Sequence, residues 1–270
     1  MPSMQDHLLN LERRSISLIR EAKAQFKNPA VLWSTGKDST ATLWLCKKSF
    51  FGRIPFPVIH IDTGYKFPEI YDFRDKISKE WNLDLIIARN DEASKNGMSP
   101  ETGKLACCTQ LKTEALKNLI KEREFDALIL AIRRDEHGIR AKERYFSPRD
   151  EEFHWRYTDQ PAELWDLYVK PSEDFSHMRV HPILHWTELD VWEYVKQEGL
   201  PINPLYFAKD GMRYRSLGCK PCTVPTPSKA STIDEIVEEL AVTEVPERAG
   251  RAQDKERAYM MQKLRSLGYM

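Results

Sequence analysis

The sequence predicts an α/β fold: an open parallel sheet with helices on both faces, followed by a helical C-terminal extension. Two observations carry this. Short apolar runs without polar alternation recur at Ala30–Trp33, Pro57–Ile61, Asp84–Ala88 and Asp126–Ile132, as expected of parallel strands buried on both faces. Helical patterns separate these runs, and the turn-rich or charged segments sit at their carboxyl ends, where open α/β sheets bind ligands.

The elements follow in order. Leu8, Leu11, Ile19, Ala22 and Phe26 share one face of an opening helix that ends before Asn28-Pro29. The first strand leads into a helix with an apolar face over Thr40–Lys48, and the second into a helix over about Pro68–Trp81. The third strand reaches the helix Gln110–Glu122 through a polar loop, and the fourth ends in a dense run of charge. After about Asp150 the pattern becomes loops rich in aromatics and proline. Thr187-Glu-Leu-Asp190 is a helix N-cap with an acid at its third position. That helix runs to Gln197–Glu198 and stops at Gly199, with Pro201 beyond. Amphipathic helices near Ser231–Ala241 and Arg251–Leu267 close the chain. The expected division is a nucleotide domain over 1–200 and an extension over 201–270 packed on it.

Composition bounds the function. Lys plus Arg equals Asp plus Glu at 41 each, so no global basic field recruits nucleic acid or a membrane. Ala127–Ile132 is among the longest apolar runs and is far too short to span a bilayer. The first residues lack the basic-then-apolar order of a signal peptide, and the five cysteines are an odd number, against a disulfide framework. A cytoplasmic location is the expectation.

Ser34-Thr35-Gly36-Lys37-Asp38-Ser39 is the most informative stretch. A strand, a glycine-containing turn and a helix N-terminus form an anion site, because free backbone N–H groups and the positive end of the helix dipole meet there. Ser34, Thr35 and Ser39 add hydroxyls, Lys37 adds charge, and Gly36 allows close approach of a phosphate. The spacing is not that of a Walker loop. The stretch resembles the SxGxDS loop of ATP pyrophosphatases, which cleave ATP between its α and β phosphates. Asp62 and Thr63, at the end of the second strand, stand within Asp62-Thr-Gly-Tyr-Lys-Phe-Pro-Glu69. That segment resembles the DTGxxFPE signature of the sulfate-assimilating branch of those enzymes. From Arg133 to Arg149 six Arg or Lys face three acids, and Arg133, Arg134 and Arg140 are the candidates for a phosphate or sulfate.

Together with Trp186–Trp192, Pro204–Phe207, Arg215–Gly218 and Glu247–Arg251, these blocks resemble the small, catalytic subunit of bacterial sulfate adenylyltransferase, in the same order over nearly the whole chain. The resemblance implies an adenine nucleotide α-hydrolase-like fold and the reaction of ATP with sulfate to adenylyl sulfate (APS) and pyrophosphate. It also implies Mg²⁺, catalytic roles for Lys37, Asp38, Arg133 and Arg134, and a large GTPase subunit as partner. A homo-oligomer is compatible with it.

Four cysteines depart from that family. Cys107-Cys108 and Cys219-Lys-Pro-Cys222 are separated by 110 residues and resemble the 4Fe–4S arrangement of APS-reducing relatives. Four thiolates suit an iron–sulfur cluster or tetrahedral Zn²⁺; buried free thiols are the competing reading. A rival function keeps the nucleotide chemistry in an iron–sulfur ATP pyrophosphatase of sulfur transfer. Its partner is a cysteine desulfurase, and nucleic acid enters only there, as in DNA phosphorothioation. An APS or PAPS reductase is disfavoured, because no cysteine follows Cys222. Cys46 is expected in the core. So are Trp186 and Trp192. Pro182 argues against a metal site on the evenly spaced His177, His181 and His185.

Overall fold

A computed structural model describes residues 4–138, 140–158, 160–168 and 175–251. Helix α1 (Met4–Gln25) packs Leu8, Leu18, Ile19 and Ala22 inward. Strand β1 (Pro29–Leu32), helix α2 (Lys37–Ser49), strand β2 (Val58–Ile61), helix α3 (Pro68–Glu80) and strand β3 (Leu85–Ala88) follow as two βαβ units. Pro68 sits at the first turn of α3, where its missing N–H costs nothing. Short helix α4 (Asp91–Lys95) precedes a composite helix: α5 (Lys104–Cys108), a π-helical stretch over Thr109–Glu114, and α6 (Ala115–Arg123). It begins six residues before the expected helix and has one wide turn within it.

Strand β4 (Ala127–Ile129) returns to the sheet. Strands β5 (Phe146–Arg149), within the segment read from the sequence as a run of charge, and β6 (His177–Val180), in the region read as loops, extend it. The sheet order is β3-β2-β1-β4-β6-β5, parallel except for β5, which runs antiparallel on the edge. The open parallel sheet is thus present with one antiparallel edge. Strand order reverses between β1 and β4, which opens a crevice at their carboxyl ends. Trp33, Trp186, Trp192 and Cys46 lie in the core.

Helix α7 (Glu188–Glu198) starts on the Thr187–Asp190 capping box and ends at Gly199, whose φ of 61° is the left-handed cap that glycine adopts without penalty. Beyond it a hairpin of β7 (Met212–Arg213) and β8 (Thr226–Pro227) leads to α8 (Ile233–Val242), which packs on α7. A strap over Glu247–Gly250 and Arg251 then crosses the crevice. The amphipathic helix expected over Arg251–Leu267 lies, from residue 252, outside the described residues. No helix among the described residues is long and apolar enough to cross a membrane.

Candidate active site

The loop between β1 and α2 is built as its sequence requires. Gly36 is the N-cap of α2 and offers no side chain to the free amides, the first of which, Lys37 N–H, donates to the Tyr206 hydroxyl at 3.0 Å. The Ser39 hydroxyl holds the turn: it receives the Ser34 N–H at 3.2 Å, donates to the Gly36 carbonyl at 3.1 Å and lies 3.1 Å from the Ser34 hydroxyl. Thr35 is held at φ 64°, unusual for a β-branched residue, and its buried hydroxyl has no hydrogen-bond partner among the described residues.

Lys37 turns inward. Its ammonium is fully buried, pairs with Glu247, lies 3.2 Å from Asp38 and reaches Glu188 at 4.0 Å. Burial alone would push Lys37 down, but Asp38, Glu247 and Glu188 outweigh it and its pKa is raised. Arg133 is equally buried. It donates to Asp38 at 2.6 Å and Asp135 at 2.5 Å, and it pairs with Glu247. Against its own desolvation, Asp38 is held at about 2 by Arg133 and Lys37. Arg215 donates to Glu188 at 2.6 Å and to the Val245 carbonyl at 2.5 Å, which ties the strap to α7.

Above this network the crevice is lined by Ser34, Gly36, Asp38 and Ser39 on one side and by Leu130–Ile132 on another. Lys66, Lys112, Arg140, Arg248 and Arg251 also line it. Arg140 and Arg248 share Glu136, the latter pair at 3.0 Å. Arg251 donates to the Leu217 carbonyl at 2.5 Å and lies flat against Gly218, where a Cβ would come within 2.6 Å of its guanidinium carbon. Lys66 is lowered to about 8 by desolvation and by the neighbouring charges of Lys112 and Arg251.

The predicted residues therefore divide. Ser34, Gly36, Asp38, Ser39 and Arg140 line the crevice, while Lys37 and Arg133 support it from beneath. Arg134 turns away: its guanidinium meets His185 and donates to the Glu143 carbonyl at 3.0 Å. Asp62 accepts from the Gly64 N–H at 2.9 Å and from the Tyr71 hydroxyl at 2.8 Å, and pairs with Arg89 at 3.2 Å. Thr63 lies 3.2 Å from the Cys219 sulfur. Sequence reading missed Lys66, Lys112, Arg248, Arg251 and the carboxylates Glu188 and Glu247. Lys66 and the last two arginines lay inside segments already singled out, DTGYKFPE and ERAGR.

The thiols of Cys107, Cys108, Cys219 and Cys222 are all buried. Burial, then the fields of Cys108 and Cys219, push Cys107 up to about 12. Cys219 goes the other way: despite its burial, Lys112 and Lys66 hold it near 7. Among the described residues the only closely spaced set of three or more potential metal donors is Asp150, Glu152 and His154, partly exposed beside Arg156. The four sulfurs therefore neighbour one another without forming a tight cage. His177 and His181 are buried apart from any such set, and His181 lies 2.7 Å from the Arg144 carbonyl oxygen.

The sequence matches the phosphoadenosine phosphosulfate reductase domain family over residues 28–225. It is 42% identical to sulfate adenylyltransferase subunit 2 of Geotalea daltonii over 97% of this chain and 98% of that protein. With the protein of the same name from Pseudomonas paraeruginosa it shares 40% identity over 97% and 98%. The first alignment runs over 297 positions against 270 residues here, so the relatives carry insertions that this chain lacks. Among solved structures, Candida glabrata FMN adenylyltransferase in complex with ATP matches with a TM-score of 0.63 at 17% identity, covering 92% of this chain and 89% of that one. The phosphoadenylyl-sulfate reductase of Candida auris, a phosphate complex, matches with a TM-score of 0.57 at 19% identity, covering 83% and 99%. At such identities these structures bear on the fold alone. The chain belongs to the phosphoadenosine phosphosulfate reductase domain family and, within it, to the sulfate adenylyltransferase subunit 2 proteins.

Proposed function

We propose that this chain is the catalytic subunit of a sulfate adenylyltransferase, joining ATP and sulfate into adenylyl sulfate and pyrophosphate. The observation that carries the reading is one crevice in which the N-terminus of α2 faces a rim of Lys66, Lys112, Arg140, Arg248 and Arg251. A sulfate oxygen attacks the α-phosphorus in line, the bond from that phosphorus to the bridging oxygen breaks, and pyrophosphate leaves. No covalent nucleophile is needed, only positioning and neutralisation of charge. The turn at the N-terminus of α2 takes the pyrophosphate, and the rim cations hold the sulfate against the α-phosphate. Lys37 and Arg133, saturated with carboxylates, keep the loop in shape.

Asp38 faces the crevice as an ionised carboxylate, a fitting ligand for the Mg²⁺ of the nucleotide. The partner is the other subunit that the relatives' name implies, a GTPase by the family resemblance, and the location is cytoplasmic. Residues 1–200 form the nucleotide domain, and the extension from 201 completes it through Tyr206, Arg215 and Glu247.

The four cysteines hold a metal centre. Burial and the neighbouring sulfurs hold Cys107 protonated, so a bound cation is what would draw four thiolates together, and the lysines beside Cys219 offset part of their charge. Tetrahedral zinc with bonds of about 2.3 Å needs sulfurs about 4 Å apart. The resemblance of Cys107-Cys108 and Cys219–Cys222 to the arrangement in APS-reducing relatives favours 4Fe–4S over zinc. Such a centre also supports the rival function, sulfur transfer driven by ATP cleavage. One experiment separates the two: pyrophosphate release from ATP by anaerobically purified protein, with and without sulfate and the GTPase subunit. Release that depends on sulfate and yields adenylyl sulfate is expected; sulfate-independent release with a cysteine desulfurase as productive partner would transfer the assignment to sulfur transfer.

A further inference from the structure

Helix α2 presents its first amide, Lys37 N–H, where an anion oxygen would dock. In this structure that place is taken by the hydroxyl of Tyr206, which accepts the Lys37 N–H at 3.0 Å. Tyr206 comes from a turn 169 residues away in sequence and lines the crevice together with Ser34, Gly36, Asp38 and Ser39. A phenol has one hydrogen to give. Among the described residues the Tyr206 hydroxyl has no acceptor for it, because its one hydrogen bond is the one it receives.

The ring itself is fixed. Trp192 meets it edge-on with centroids 5.5 Å apart, and the Lys37 ammonium lies 5.7 Å from its centre. Its turn is anchored by buried Asn203, which accepts the Leu205 N–H at 3.1 Å and donates to the Glu69 carbonyl at 3.2 Å. Gly36 is what lets the hydroxyl come so close: a Cβ there would stand 3.2 Å from the phenolic oxygen. One rotor remains free, the O–H bond. A donor placed in advance loses no reorganisation energy when charge arrives.

We propose that the Tyr206 hydroxyl is a hydrogen-bond donor to the pyrophosphate, relaying the Lys37 N–H to a phosphate oxygen. The N–H polarises the phenol, and the phenol passes that polarisation to the anion in a two-bond chain. Burial pushes the phenol up to about 12, so it remains protonated at neutral pH. This inference rests on the reading of the crevice as a site for ATP cleavage between α and β phosphates.

Its test is Tyr206→Phe in the full-length chain, with inorganic pyrophosphate and AMP titrated separately by calorimetry. Loss of one hydrogen bond to a charged oxygen predicts about tenfold weaker pyrophosphate binding, with AMP binding within about twofold of the wild type. Unchanged pyrophosphate affinity, or an equal loss for both ligands, would overturn the role of the hydroxyl. A wild-type chain that ignores pyrophosphate would overturn the reading of the crevice as well. Should the variant fold poorly, the wild type still decides. With [13C]tyrosine-labelled protein, the Tyr206 Cζ resonance is expected to move on adding pyrophosphate and to stay put on adding AMP; no shift with pyrophosphate refutes the donor.

Discussion

Arg133 and Arg134 are neighbours in sequence and belong to different environments. Arg133 is wholly buried among Asp38, Asp135 and Glu247, whereas Arg134 packs against His185 and the Glu143 carbonyl. A guanidinium already met by three carboxylates is part of the scaffold, and the cations that face a ligand are those on the rim. Arg134→Ala is therefore expected to leave KM for ATP within about twofold. Lys112→Ala, which removes a rim cation, is expected to lower kcat/KM by about tenfold or more, in line with loss of a charged hydrogen bond. Steady-state kinetics of the two variants checks the division, and equal effects would contradict it. Tandem arginines after a strand do not tell a reader which one faces the ligand. The backbone decides: Arg134 N–H bonds to the Leu184 carbonyl as the chain leaves β4.

Among the elements, strands β1 to β4 were legible because each is a short apolar run, and β1, β2 and β4 are buried throughout. Strand β6 was not legible. It reads His-Met-Arg-Val, yet every residue is buried, because His177 and Arg179 enter a polar cluster with Arg149. Periodicity rules see hydrophobicity, and here burial is satisfied by hydrogen bonds. The wide turn at Thr109–Glu114 was also hidden, since propensity cannot distinguish α from π pitch; it carries Lys112, which lines the crevice and acts on Cys219.

Strand β2 carries a titration of its own. Buried His60, 3.0 Å from the Trp33 carbonyl oxygen, is held at about 3 by burial and by Lys66. The native state refuses a proton that the unfolded chain accepts near pH 6.5, so stability falls as pH drops from about 6.5 towards 3. Each such group contributes a slope of about 1.4 kcal/mol per pH unit within that window. His60→Gln is expected to flatten the pH dependence of urea unfolding between pH 6 and 4 by about one proton; an unchanged slope would show that His60 does not titrate this way.

Across the whole molecule, the site is closed by distant parts of the chain. Glu247 meets Lys37 from 210 residues away, and the strap that carries it also brings Arg248 and Arg251 to the crevice. No local pattern announces such a pairing, although the block containing it resembled a family motif. Glu247→Gln leaves Lys37 and Arg133 short of a buried counter-charge. About 3 kcal/mol of stability should be lost, with adenylyl transfer falling alongside, and Glu247→Asp should restore part of both. Urea midpoints and pyrophosphate release measure the pair of effects. A fully stable, fully active Gln variant would show the strap to be dispensable.

The strap also sets a birth date for activity. During synthesis the phosphate loop emerges early, and the amides of α2 form as soon as β1 and α2 pack. Arg248 and Arg251 leave the ribosome more than 200 residues later than Ser39. A nascent chain thus holds an anion cradle whose rim still lacks Arg248 and Arg251, and all five rim cations are in place only once translation has passed Arg251.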